Sequence, residues 1–240
     1  MAERIRIQKA LSNAGLMSRR AAEDAISSGR IRMNDQSVRL GDRVDVDTDL
    51  LTVDGYPIPV NPALETHLLY KPVGVISTSS DTHGRQTVVD LIVSPKRLYP
   101  VGRLDADSEG LILVSNDGEL ANRVTHPRYE ITKKYVALVE GIPSLENVRR
   151  LVDGVELDDG PAKAMKARVL DEQVQQSLVE LVMAEGRNRE VRRMFSAIGH
   201  EVISLVRTAI GPITDRTLKP GESRALTPGE ISRLLSSGAQ

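Results

Sequence analysis

Gly102-Arg103-Leu104-Asp105, followed by Gly110-Leu111-Ile112, is the stretch of this chain best suited to chemistry. It sets one carboxylate beside an arginine, in a loop, just ahead of an apolar run. A carboxylate held there can serve as a reactive group, and Asp105 is the candidate. Read alone, such an aspartate is more often a turn or cap residue. Other chemistries are poorly supplied. The chain has no Cys, so disulfides, thiolate metal sites and cysteine nucleophiles are excluded. No metal-ligand cluster and no glycine-rich phosphate loop stands out.

The second informative stretch runs from Glu185 to Phe195 and carries Arg187, Arg189, Arg192 and Arg193. Val191, Met194, Phe195 and Ile198 recur at i, i+3, i+4 and i+7, the signature of an amphipathic helix. Arg189 and Arg193 then point away from the apolar stripe, toward solvent or phosphates. Arg192 lies at its edge, where a half-buried guanidinium needs a carboxylate. Asp105 is the expected partner, with Glu190 or another local acid as the alternative.

These residues need a scaffold, and the chain shows the pieces of one. At 240 residues it accommodates two unequal domains. His67–Tyr70, Leu111–Val114, Lys134–Glu140 and Gln176–Met183 read as strands, and 119–124 and 145–152 as helices. Val88–Ile92 is ambiguous. No regular strand–helix–strand rhythm appears, so the fold class is α+β with a mixed, largely antiparallel sheet flanked by helices. Leu218 to Leu235 reads as a turn and closing helix without chemistry. Tyr56 to Pro62 has three prolines and reads as a stiff extended linker. The domains are therefore placed at 1–60 and 61–240.

In the first domain, Ile7, Ala10, Leu11 and Ala14 predict a helix that stops at Gly15. Ser18 caps a second one that buries Ala21, Ala22, Ala25 and Ile26 and ends at Gly29. Residues 30–34 and 44–46 alternate like short strands. Residues 1–43 carry nine Lys/Arg against five Asp/Glu, while 44–59 carry four Asp and no base. A net charge of −1 hides that division. Arg19 and Arg20 occupy the first turn of the second helix, against the helix dipole. With Arg4, Lys9 and Arg30 they could face phosphates. The start of the chain lacks a secretory pattern, and no apolar run reaches the ~20 residues of a membrane span.

Arg6 to Leu11, Gly15, Ser18 to Ala22, Gly29-Arg30-Ile31, Asn34 and Val53-Asp54-Gly55 resemble the small S-four-like RNA-binding module. Gly102-Arg103-Leu104-Asp105-x4-Gly110-Leu111 and Ser115 to Ala121 resemble the catalytic motif of pseudouridine synthases. Lys71-Pro72-x-Gly74, Lys133-Lys134-Tyr135 and Gly186 to Met194 match further blocks in the same order. Together they point to the RsuA/RluB branch, and Asn188-Arg189-Glu190-Val191-Arg192-Arg193 resembles the RluB type. Ser108 departs mildly, standing where Thr is common.

The resemblance implies uridine isomerisation: the glycosidic bond to nitrogen breaks, the uracil rotates, and a carbon–carbon bond forms without cofactor or metal. Asp105 would attack or deprotonate the sugar, helped by Arg192. Tyr135 would stack on the uracil and offer its hydroxyl; on a strand it is otherwise a core aromatic. Arg103 would fill the space left by the extruded base. RNA contacts are expected from Arg187, Arg189, Arg193, Arg19, Arg20 and Lys9. Lys71 either joins them or sits on an exposed turn. The implied partner is ribosomal RNA, 23S favoured, free or in a pre-ribosomal particle. A monomer in the cytoplasm, away from membranes, completes the expectation.

Overall fold

The computed structural model describes residues 4–58 and 64–238. They form two compact units: Met1–Glu65 with Ser94–Leu98 and Ser115–Gly118, and the remainder. The Pro59–Pro62 part of the expected linker lies outside the described residues. Its Tyr56–Ile58 part is a strand, paired antiparallel with Leu51–Val53. Pro57 is tolerated because this strand lies at the edge of its sheet.

In the first unit, helices Ile7–Asn13 and Arg19–Ser27 pack with short strands around an aliphatic core that includes Ile7, Leu11, Ala22, Ile26, Ile31 and Leu51. Ser18 caps the second helix, its hydroxyl accepting from the Ala21 N–H at 3.1 Å. Ala21 itself is exposed, unlike Ala22 and Ala25. The helical face turns away one residue earlier than the apolar pattern suggested.

The second unit is built on a mixed sheet. Its strand order is Lys166–Gln173, Gln176–Met183, Lys133–Glu140, Val202–Ile210, Glu109–Ser115, Thr66–Lys71 and Ser223–Ala225. Tyr99–Val101 and Ile213–Thr214 pair on the side. Glu109–Ser115 runs parallel to Val202–Ile210. The pairs around Lys133–Glu140, Gln176–Met183 and Ser223–Ala225 are antiparallel. Helices Gly118–Thr125, Leu145–Asp153, Glu190–Ala197 and Pro228–Ser236 complete the α+β unit. Val88–Ile92 forms neither helix nor strand; the Asp90 carboxylate accepts from the Thr87 N–H and hydroxyl, each at 2.8 Å.

The parallel pairing explains Gly110. Gly110 lies directly opposite Arg207, with φ at 109°. A Cβ there would fall 2.3 Å from the Arg207 carbonyl oxygen and 2.6 Å from its nitrogen. Only glycine lets the chain leave the Asp105 loop and join the sheet at this point.

Candidate active site

The site assembles around three positions on adjacent strands. Arg207 lies in register with Gly110 on one side and Tyr135 on the other. Directly opposed residues share a sheet face, so the Tyr135 and Arg207 side chains stand together beneath the loop that carries Asp105. A cleft of about 350 Å³ opens there, lined among others by Arg103, Asp105, Lys133, Tyr135, Arg187 and Arg207. That is within the usual range for a small-ligand site. Tyr135 is 8% exposed, so its ring is buried and only a small part meets the opening.

The Asp105 loop is fixed by its backbone. Arg207 Nη1 donates to the Arg103 carbonyl at 3.2 Å and Nε to the Leu111 carbonyl at 2.6 Å. Ser77 Oγ donates to the Leu104 carbonyl and accepts from the Leu104 N–H, at 2.8 and 3.0 Å. The Gly74 N–H donates to the Ala106 carbonyl at 2.7 Å, and Arg192 Nη2 to the Asp107 carbonyl at 2.9 Å. Around the anchored loop, the Asp105 carboxylate accepts no hydrogen bond and forms no ion pair with any described residue. A rigid backbone with an uncommitted carboxylate facing a cleft is preorganised for a reacting partner.

The expected Asp105–Arg192 pair is not formed. Arg192 Nε lies 3.5 Å from the Asp107 carboxylate, outside good hydrogen-bond geometry, and Nη1 donates to the Val202 carbonyl at 2.9 Å. Arg192 is thus spent on the backbone behind the loop, two residues beyond Asp105. Helical periodicity put it correctly at the edge of the apolar stripe but cannot specify which neighbouring carboxylate it meets.

Lys71 is corrected too. It is fully buried, not on an exposed turn, and its Nζ donates to the Pro72 carbonyl at 2.9 Å. Burial drives its pKa down to about 8, Arg207 adding to the effect, while Asp105, Asp107 and Glu109 pull the other way. From this position its charge acts on Asp105, Asp107 and Glu109.

The remaining arginines divide by their partners. Arg187 binds Glu190 and Asp159, at 2.9 and 3.0 Å. Arg193 holds Asp159 through both terminal nitrogens at 2.8 and 2.9 Å. Arg189, which begins the helix in a left-handed conformation, pairs with Asp107 at 3.0 Å. Burial pushes the Asp107 carboxyl up, but the Arg189 bond and the two arginine charges leave it below its usual value. In the first unit, Arg4 and Arg30 pair with Asp49 and Asp54. Arg19, Arg20 and Lys9 have no such partner among the described residues, and both arginines are exposed.

Arg207 escapes a reading of the sequence, and Lys133 enters it only within the Lys133-Lys134-Tyr135 block. Arg207 is 4% exposed, and its Nη2 is buried without a partner. Lys133, also on the cleft, has its pKa lowered to about 8 by burial and by Arg207, with Glu190 opposing. The signal for Arg207 is a lone charge inside Val202–Ile210, an otherwise uncharged strand. Nearby, His126 Nδ1 accepts from the Arg128 N–H at 3.2 Å.

Comparison with known proteins agrees with this geometry. A profile described as RNA pseudouridylate synthase matches residues 65–197, and one for the S4 domain matches 5–50. The chain is 46% identical over 233 residues to the ribosomal large subunit pseudouridine synthase B of Bacillus subtilis (strain 168), covering 95% of each. A protein of the same description from Shigella flexneri is 38% identical, covering 87% of this chain and 74% of that one. A crystal structure of a pseudouridylate synthase superposes with a TM-score of 0.67 at 27% identity, covering 96% of this chain and 99% of the other. A carboxylate loop clamped by its backbone over a buried tyrosine, in a chain matched along nearly its whole length, makes this protein a member of the RNA pseudouridylate synthase family.

Proposed function

We propose that this chain converts a uridine of 23S ribosomal RNA to pseudouridine, with Asp105 as the reactive carboxylate. The observation that carries the assignment is the uncommitted Asp105 carboxylate on a backbone-fixed loop, over the same cleft as Tyr135. The choice of 23S rests on the relatives described as ribosomal large subunit synthases.

In this reading the target nucleotide is extruded from its stack and its uracil enters the cleft. Asp105 attacks or deprotonates the sugar as the glycosidic bond breaks. Tyr135 stacks on the freed ring and offers its hydroxyl for proton transfer. Arg103, exposed on the loop, occupies the space the base vacates. Lys71, Arg192 and Arg207 act through the loop, as positioning residues. Residues 1–60 grip RNA through Lys9, Arg19 and Arg20, and 61–240 perform the chemistry as a cytoplasmic monomer, on free RNA or a pre-ribosomal particle.

Unmodified 23S fragments incubated with wild type and Asp105→Asn, then read position by position, test the proposal. One pseudouridine formed by the wild type alone supports it. A site on 16S or transfer RNA instead refutes the substrate. Equal modification by the two proteins refutes the role of Asp105.

A further inference from the structure

We infer that Arg123 and Arg128, stacked around Tyr129 at the rim of the cleft, form a second RNA-backbone docking surface that grips phosphates flanking the target nucleotide. The inference rests on the RNA substrate proposed above and adds to it a surface separate from the 1–60 unit and from the arginine-rich helix 190–197.

The first observation is a contrast in charge compensation. Arg187, Arg189, Arg192 and Arg193 look like the phosphate-binding set in sequence, yet each lies within ion-pair distance of Asp107, Asp159 or Glu190. Phosphate could engage them only by displacing a carboxylate already in place. Arg123 and Arg128 have no carboxylate within ion-pair distance among the described residues. Glu130 follows close behind in the chain, but it is exposed and unpaired with either. Uncompensated cations are the ones whose counterions RNA can release.

The second observation is position. Thr125 and Pro127, interleaved with these arginines, line the cleft. A Cβ placed on Gly102, at the start of the Asp105 loop, would touch Thr125 Cγ2 at 3.4 Å. The segment therefore adjoins the reactive loop and can reach the nucleotides next to an extruded base.

The third is preorganisation. The Arg128 guanidinium carbon sits 4.4 Å from the Tyr129 ring centroid and that of Arg123 5.3 Å. Arg128 also donates to the Tyr129 hydroxyl. Tyr129 is partly buried against the core cluster of Leu120, Val124 and Ile131. Two guanidinium groups stacked on an anchored ring hold their positions while keeping donors for phosphate.

The test is binding of the 23S fragment that the wild type modifies, measured by fluorescence anisotropy across a KCl series. An Asp105→Asn background prevents turnover. Arg123→Gln with Arg128→Gln should weaken binding roughly 10-fold or more at low salt and flatten log Kd against log salt by about 0.7 for each lost contact. Arg128→Lys should retain most of the slope, because its charge remains. Arg168→Gln, at an arginine paired with Glu180 on the edge strand of the sheet, should change neither quantity appreciably. Unchanged affinity and slope in the double variant, with circular dichroism matching the parent, overturn the inference. So does an equal loss with Arg168→Gln. The pseudouridine readout on the same fragment reports separately on the proposed function. If it is negative, the salt series on an oligouridine strand still decides whether the rim binds RNA backbone.

Discussion

Lys71 should make the stability of this protein rise with pH in the alkaline range. Its pKa stands at about 8 in the folded chain, against 10.5 for an ordinary lysine. Below pH 8 both folded and unfolded states hold the proton, and no pH dependence results. Between about pH 8 and 10.5 the folded state has lost it while the unfolded state keeps it, so the unfolded chain binds more protons and stability climbs. Each tenfold difference in proton affinity between the two states is worth about 1.4 kcal/mol, so full release contributes roughly 3 kcal/mol. The side chain is fully buried, so solvent screening does not reduce this contribution as it would on the surface. Lys133 titrates in the same direction, which calls for an internal reference. Urea denaturation of wild type and Lys71→Met at pH 7, 8, 9 and 10 provides it, provided the m-values agree. The wild type should gain up to about 3 kcal/mol relative to Lys71→Met over this series. Parallel pH profiles for the two proteins would refute the reasoning, since Lys71 would then titrate alike in both states. The substitution also removes the cation facing Asp105, Asp107 and Glu109. Turnover should fall while RNA affinity holds, measured as kcat against Kd on one fragment.

Further outcomes are expected. Gly110→Ala should destabilise by roughly 3 kcal/mol or more, since it combines a strained φ with a clash against the Arg207 backbone, read as a shift in denaturation midpoint. Arg207→Lys keeps the charge but not the fork that reaches the Arg103 and Leu111 carbonyls. It should lower kcat well beyond any change in RNA Kd. Arg192→Ala should act in the same way through the Asp107 carbonyl, whereas Arg19→Ala with Arg20→Ala should weaken binding and reduce its salt slope with kcat intact. Deleting residues 1–60 should lower affinity and leave the thermal unfolding of the remaining unit as one cooperative transition, followed by calorimetry.

Local elements were legible because their signals are local. Ser18 declares its cap three residues ahead of Ala21, and the periodicity of Val191, Met194 and Phe195 fixes one helical face. Alternation from Lys134 to Glu140 and from Gln176 to Met183 gives two strands, which prove to be partners in register. Tyr56–Ile58 is a strand where a linker was expected, because its prolines suit either a linker or an edge strand, and only a neighbour decides between them.

By itself the sequence determined the α+β class, the motif that carries Asp105, and Tyr135 on a strand. Each is encoded in residue types at short, fixed spacings. Tertiary structure alone decided which charges meet. Arg192 takes Asp107 in place of Asp105, Lys71 is buried, and Arg207 comes between Gly110 and Tyr135 from far along the chain. The physical reason is that an ion pair depends on distances of a few ångströms between separate elements. Sheet order and register set those distances, and neither is written in any one segment of the chain.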